Sequence, residues 1–259
     1  MKDLFDIRDN EPFIGIKTNL NKANKKGTEQ YDIWLQKYRA KRKGKQEDIQ
    51  PYLFESEIIE KAFRGAGEQA VSIFNVLRRQ DEADETSDKY LKAKNQITAL
   101  IQALPDLNFN IDSLEENYFR MTPDGEGAES KIYFPEDKDF IIKAQDFSVQ
   151  SETPLDHIIN RIIIHNAFFP NAKYELQGFT LDDDFVNPKF RFIVSQDFIK
   201  GRAATAEEIE NYMVKLGFVI SEHKNWYTNG PFRISDMHGK NVLKFKNSIY
   251  VIDEVIDMI

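Results

Sequence analysis

Apolar residues recur at helical spacing through the first half of the chain. Ile58, Ile59, Ala62 and Phe63 form one set, Ala70, Ile73, Phe74 and Leu77 a second, and Leu91, Ile97, Leu100, Ile101 and Leu104 a third that Pro105 ends. Positions three and four apart share a helix face, so the pattern predicts amphipathic helices in this half. Gly65 and Gly67 mark a kink or a helix break, and the acidic stretch 81–88 reads as a charged connection. Near residue 120 the texture changes to short strands. Lys131-Ile132-Tyr133-Phe134 and Phe140-Ile141-Ile142-Lys143-Ala144 flank Pro135-Glu136-Asp137-Lys138-Asp139, which predicts a hairpin with a polar turn. A helix follows over 153–168, with Thr153 as cap, Pro154 at its first position and Pro170 as its stop. Strands are expected over 174–180 and 189–198, joined by Asp182-Asp183-Asp184, and a second helix over 205–216 carries Glu207 and Glu208 in its first turn. The last pattern is Val242-Leu243, a polar turn Lys244-Phe245-Lys246-Asn247-Ser248, then Ile249-Tyr250-Val251-Ile252. The expected class is α+β, with a helical region over 1–120 and a strand-rich domain over 121–259.

Composition narrows the partners. The 259 residues are 30% charged with a net charge of -8, which disfavours a broad nucleic-acid surface and leaves only local contacts. Without cysteine there are no disulfides, thiolate zinc sites or thiol nucleophiles. No stretch approaches eighteen apolar residues, and Met1-Lys2-Asp3-Leu4-Phe5-Asp6 carries acids where a secretion signal needs a basic flank, so a cytoplasmic location is expected. The basic run Lys37-Tyr38-Arg39-Ala40-Lys41-Arg42-Lys43-Gly44-Lys45, near Tyr31 and Trp34, has the ingredients of a nucleic-acid contact. In so acidic a chain a solvated helix end followed by a loop is the reading it favours.

Candidate chemistry gathers in the second half. Gly125 and Gly127 lie in a small-residue turn before a strand, where backbone N–H groups can approach phosphate oxygens. Lys143 projects from the apolar strand that follows, at a point where it can neutralise phosphates. Asp236 and Asn241 are five apart in a polar loop, and Asp253 closes an apolar strand twelve residues after Asn241. A hairpin over 242–252 would set Asn241 and Asp253 side by side, an amide and a carboxylate of the kind that hold magnesium when phosphates and water complete the shell. Asp236 can then accept a hydrogen bond from an incoming hydroxyl. The four histidines make no metal site by spacing: His157 and His165 are eight apart, and His238 is better suited to ordering its loop. The clusters Phe168-Phe169 and Phe190-Phe192 read as core.

These residues resemble, in order, the protein-kinase-like superfamily, and in particular the compact kinase domain of polyvalent proteins from phages and bacterial mobile elements. The resemblance is carried by Ser130-Lys131-Ile132-Tyr133 after the glycine turn, His165-Asn166 with Phe169-Pro170, Gly178-Phe179 and Gln196-Asp197-Phe198-Ile199-Lys200-Gly201. A loop of the form Asp-x-His-x-x-Asn completes it, here Asp236, His238 and Asn241. It implies that the chain uses ATP and Mg2+, that Lys143 contacts phosphates, and that Gln196, Asp197 and Phe198 form a hinge against adenine. It further implies that Asp236 orients the substrate hydroxyl and that Asn241 and Asp253 hold the metal. Ile234-Ser235 stands where His-Arg is usual, and Glu254-Val255 where Phe-Gly is usual. The helix over 153–168 has no glutamate in its middle turns to pair with Lys143, leaving Asp156 and Glu152 as substitutes. A platform for a protein acceptor is expected from the N-terminal helices, since the sequence ends six residues after Asp253. Two functions follow from the resemblance: a kinase-like phosphotransferase acting on a protein or small-molecule hydroxyl, or a nucleotide-binding pseudokinase serving as an interaction module.

Overall fold

The computed structural model of the chain describes residues 56–110, 114, 119–120, 130–135, 139–147, 153–182, 189–221, 223, 225–229 and 232–258. Helices α1 (Ser56–Gly65), α2 (Glu68–Ala83) and α3 (Lys89–Ala103) follow the sequence periodicity. The break between α1 and α2 falls at Gly67, whose φ of 88° lies in the left-handed region that glycine enters without strain. There Ala66 O accepts a hydrogen bond from Leu176 N at 2.6 Å, tying the turn to the sheet. Phe63, Phe74 and Leu77 are fully buried, and at roughly 1.5–3 kcal/mol for each such side chain, packing rather than intrinsic propensity holds these short helices in place. The charged connection is shorter than predicted, because α2 runs on to Ala83. Asp88 caps α3 by accepting from Tyr90 N and Leu91 N.

The main sheet is antiparallel, in the order β1 (Phe119–Arg120), β2 (Ser130–Phe134), β3 (Phe140–Gln145), β5 (Lys189–Asp197), β4 (Glu175–Asp182). Strand β3 is buried on both faces, and its alternation divides it. Phe140, Ile142 and Ala144 join Tyr133 and Ile193 in a small core on one side, while the period of two sends Ile141, Lys143 and Gln145 to the other. That second face is covered by helix α4, over residues 154–168. It begins as α-helix (Pro154–His157), passes through a π-helical stretch (Ile158–Ile164) and ends as α-helix (His165–Phe168). The sequence predicted this helix with its cap. The cap is a full capping box, in which Thr153 Oγ1 accepts from Asp156 N and Asp156 accepts from Thr153 N. The π stretch was not legible, since π insertions leave no sequence signature of their own and appear often at functional sites.

Gln96 joins the helical layer to α4. Fully buried, it donates to Asp81 Oδ1 at 3.2 Å and accepts from Leu155 N at 3.0 Å, satisfying one of the N–H groups that a helix start leaves open. On the other side of the sheet, the segment after α3 covers the free edge of β4. Phe109 N donates to Phe179 O at 2.8 Å, and Thr180 Oγ1 donates to Phe109 O at 2.6 Å. Gly178 permits this approach, because a Cβ there would stand 2.4 Å from Leu107 O and 2.5 Å from the Phe109 ring. A backbone oxygen cannot yield as the end of a side chain can, so Gly178→Ala is expected to lower stability by about 1–3 kcal/mol. A lower urea midpoint with an unchanged slope would show it.

After the main sheet the chain forms β6 (Arg202–Ala203), α5 (Ala206–Lys215), β7 (Val219–Ile220), β8 (Tyr227–Asn229), β9 (Phe232–Ser235), β10 (Val242–Phe245), β11 (Ser248–Val251) and β12 (Val255–Met258). These build two small sheets, β11-β10-β6 and β12-β9-β8-β7. The β10–β11 hairpin runs in register from Val242↔Val251 to Phe245↔Ser248. Its turn is therefore tighter than the sequence predicted: Lys244, Phe245 and Ser248 are in the ladder, and Lys246, at φ 53°, makes the reversal with Asn247. Glu208 clasps β6, α5 and β10, receiving Arg202 at 2.6 Å and Lys244 at 2.6 Å. Its carboxyl is held far below the usual range by the Arg202 hydrogen bond, then by those from Lys244 and Thr205 N. One apolar core extends from Ala62 to Ile256 and includes residues of α1, α2, α4, the main sheet and the later strands. The architecture is α+β, and among the described residues no helix is long and apolar enough to cross a membrane.

Candidate active site

Lys143 is 3% exposed, on the face of β3 turned towards α4. Its Nζ donates to Ile252 O at 2.6 Å and to the Tyr174 hydroxyl at 3.2 Å, and that hydroxyl donates in turn to Ile252 O at 2.5 Å. Burial pushes the Lys143 pKa down, since a desolvated ammonium is disfavoured, and the carboxylates of Asp253 and Glu254 pull part of that shift back. Burial also raises the Tyr174 hydroxyl well above its ordinary value, with the same two carboxylates adding to the shift. Lys143 is thus placed beside the segment that carries Asp253, more than a hundred residues later in the chain.

The polar groups that α4 offers at this face are His157, Arg161 and His165. Asp156, one of the two expected substitutes for a helix glutamate, is committed to the cap: its Oδ2 accepts from Thr153 N at 3.1 Å and from Thr153 Oγ1 at 2.9 Å. Glu152 lies outside the described residues. The glutamate of this site comes instead from the chain beyond Asp253. Glu254, 4% exposed, meets His165 Nδ1 at 2.6 Å, and His165 Nε2 meets Ala172 O at 2.7 Å. A carbonyl can only accept, so Nε2 carries a proton and Nδ1 shares another with the carboxylate. Sequence reasoning missed this pair, Tyr174 and Arg161. The available signals were a carboxylate and a histidine, each set among apolar residues that bury them.

The second half of the site is a loop that leaves β9. Asp236 takes φ 62°, a conformation that aspartate tolerates better than most residues. Asn241 Nδ2 donates to Asp236 Oδ2 at 2.7 Å and to Asp236 O at 3.1 Å. Both amide hydrogens are thereby used, and the Asn241 side-chain oxygen is left as its atom for a cation. His238 Nε2 lies 3.1 Å from Asp236 Oδ1, while its Nδ1 accepts from Lys240 N at 3.2 Å. The backbone donor fixes Nδ1 as acceptor, so Nε2–H points at the carboxylate. Asp236 itself is half exposed.

The hairpin brings Asn241 and Asp253 to one end. Val242 pairs with Val251, and Ile252 N donates to Asn241 O at 2.8 Å, so the two residues stand just beyond the last rung. Asp253 borders a cavity of about 10 Å³ with Ser130, Gln145, Arg161 and Glu254, which is space for a single water. Among the described residues no three histidines or carboxylates gather into a metal cage. An amide and one carboxylate instead suit a magnesium ion that keeps water and takes phosphate oxygens.

The remaining expected residues divide. Gln196 is 1% exposed, with its side chain turned inward to donate to Ala172 O at 2.7 Å, while Asp197 is exposed and Phe198 is 41% exposed. Phe198 N is taken by Asp139 O at 2.7 Å, and its ring meets the edge of Phe134 at 5.6 Å. If these residues contact a base, the main chain after β5 and the Phe198 ring are the groups available. Gly125 and Gly127 lie outside the described residues, as does the basic run from Lys37 to Lys45; β1 and β2, which flank the two glycines in the sequence, are antiparallel neighbours.

Comparison with known proteins bears on this arrangement. No curated protein and no solved structure matches the chain. A family model does, and it spans residues 92–259, well over half of the sequence and every described residue of the site. By that match the chain belongs to the serine/threonine/tyrosine kinases found in polyvalent proteins.

Proposed function

We propose that the chain is an ATP- and Mg2+-dependent phosphotransferase that moves the γ-phosphoryl group to a hydroxyl acceptor. The observation that carries this reading is the pair of hydrogen bonds that Asn241 Nδ2 donates to Asp236, together with the one that Ile252 N donates to Asn241 O. Three polar groups with distinct tasks are thereby held in one unit next to Lys143. Asp236 accepts a hydrogen bond from the acceptor hydroxyl and aims its oxygen at phosphorus. As the new P–O bond forms, the bond from the γ-phosphorus to the bridging oxygen breaks and ADP leaves, and the hydroxyl proton passes to Asp236 or to the transferred phosphate. Asn241 and Asp253 would hold the metal, which supplies charge neutralisation at the β- and γ-phosphates. Lys143 adds a second positive charge once its hydrogen bonds to Ile252 and Tyr174 are exchanged for phosphate oxygens. Positioning and charge neutralisation are the larger part of such catalysis, because phosphoryl transfer needs little covalent help.

One observation favours a second reading. Among the described residues Lys143 directs its hydrogen bonds to a carbonyl and a hydroxyl and not to a carboxylate, an arrangement compatible with a nucleotide-binding pseudokinase that acts as an interaction module. Two measurements separate the readings. At a hundred times its Kd, Mg-ATP stabilises the chain by about 2.7 kcal/mol, so a raised melting temperature reports binding. Labelled γ-phosphate appearing on the chain itself or on an added acceptor reports transfer. Binding with transfer is the expected result, binding without transfer selects the pseudokinase, and the absence of both overturns the reading.

A further inference from the structure

The segment 252–254 is held by hydrogen bonds on both sides of Asp253. Before Asp253, the Ile252 carbonyl accepts from Lys143 and Tyr174, and the Ile252 N–H donates to Asn241. After it, the carboxylate of Glu254 meets His165 Nδ1 at 2.6 Å, with side-chain exposures of 2% and 0%. His165 cannot swing away. Its other nitrogen is bonded to Ala172 O, and its ring packs on Tyr174 at 4.4 Å and against Phe169 at 5.4 Å. Among the described residues the second carboxylate oxygen, Glu254 Oε2, is buried without a hydrogen-bond partner, so His165 is the contact seen to fix this side chain. A buried ion pair is a weak source of stability, and well-packed apolar residues often serve as well or better. A carboxylate buried there against His165, one residue from a candidate metal ligand, calls for another purpose.

We propose that His165 and Glu254 are positioning residues that lock the backbone at Asp253 so that its carboxylate stands beside Asn241. They do for the metal-bearing segment what the resemblance expects of a helix glutamate bonded to Lys143. The helix still supplies the anchor, but the charges are exchanged: the base is on α4 and the acid is on the segment it restrains. The proposal rests on the Mg-ATP reading as regards the purpose of Asp253, while the brace is a property of the free protein and is testable without nucleotide.

The test uses the full chain. Residues that orient a metal ligand typically contribute 10- to 100-fold to metal affinity, so Glu254→Ala is expected to weaken Mg-dependent binding of a non-hydrolysable ATP analogue by about that factor. Binding of ADP in EDTA stays at the parent value. Glu254→Gln, which can still donate an amide N–H to His165 Nδ1, recovers most of the loss; a role in stability alone would not produce this contrast. In the free protein, hydrogen exchange over 250–256 quickens in Glu254→Ala and not in Glu254→Gln. If Glu254→Ala does not fold, the double change His165→Leu with Glu254→Leu fills the same space without the brace, and the same losses are expected of it. A folded variant without the pair whose exchange over 250–256 matches the parent overturns the proposal. So does one that binds the Mg-analogue complex as the parent does. Should the parent itself bind no Mg-nucleotide, the kinase reading fails, and the exchange measurement still decides the brace.

Discussion

Lys143→Met is expected to fold and to lose phosphoryl transfer by about 10²- to 10³-fold, the effect typical of removing one donor aimed at developing charge. Folding should survive because the position asks little of the charge. Methionine fills a similar volume, volume-conserving changes alter stability by less than about 1.5 kcal/mol, and Ile252 O keeps its bond from Tyr174. The pH dependence of stability gives an independent check. Burial lowers the Lys143 pKa in the folded chain, and Asp253 and Glu254 only partly oppose it. A base whose pKa is lowered by folding contributes stability above its unfolded value, near 10.4, and that contribution is lost as the pH falls through the folded value. As the pH falls from that value the parent therefore loses this contribution, and the variant has no such term to lose. The variant should compare best with the parent at pH 7, and its standing should decline as the pH is raised towards 10. Urea denaturation at the two pH values measures this, and nucleotide-dependent stabilisation in the same samples reports the loss of phosphate contact.

The same residue shows how far a sequence reading reaches. That Lys143 sits on a strand followed from Phe140-Ile141-Ile142 alone, because an apolar run bounded by turn residues is a local signal; that the strand is central and the lysine buried did not, since a lone lysine there reads equally as exposed on an edge. That it meets Tyr174 and Ile252 did not follow, since those partners lie 31 and 109 residues away and depend on how β3, α4 and the last hairpin pack. The bond between Asn241 and Asp236 was within reach, being contained in one loop. The hairpin that sets Asn241 near Asp253 was also legible, from its turn residues and the apolar strand after them. Strands β1, β6, β7, β8, β9 and β12 were not, as two to four residues of mixed polarity become strands only when a partner fixes their hydrogen bonds. Glu254 is the instructive miss. In sequence it marked a departure from Phe-Gly; in the fold its carboxylate meets His165 of α4, a contact across 89 residues that no local pattern signals.

Asp236→Asn is expected to retain Mg-ATP binding and to reduce phosphoryl transfer by about 10²- to 10⁴-fold, the range for loss of a positioned acid–base group. Asparagine is the informative replacement because Asp236 lies at φ 62°, where asparagine is tolerated while a typical side chain loses roughly 1–2 kcal/mol. The backbone of the loop should therefore persist. Its hydrogen bonds cannot all persist. Asp236 receives Asn241 Nδ2 on one oxygen and faces His238 Nε2 with the other, and an amide offers only one oxygen. If that oxygen stays with Asn241, the new NH2 group meets a histidine N–H, since Lys240 N holds Nδ1 as the acceptor. The conflict falls on the position facing His238 and leaves the Asn241 orientation intact, so the pair proposed to hold the metal, Asn241 and Asp253, keeps its geometry while the group that would receive the hydroxyl is lost. Isothermal titration with Mg-ATP should give a Kd within a few-fold of the parent, and labelled γ-phosphate transfer should be nearly absent. Equal transfer by the two proteins would remove Asp236 from the chemistry, and loss of binding together with transfer would show that the loop serves the nucleotide rather than the acceptor.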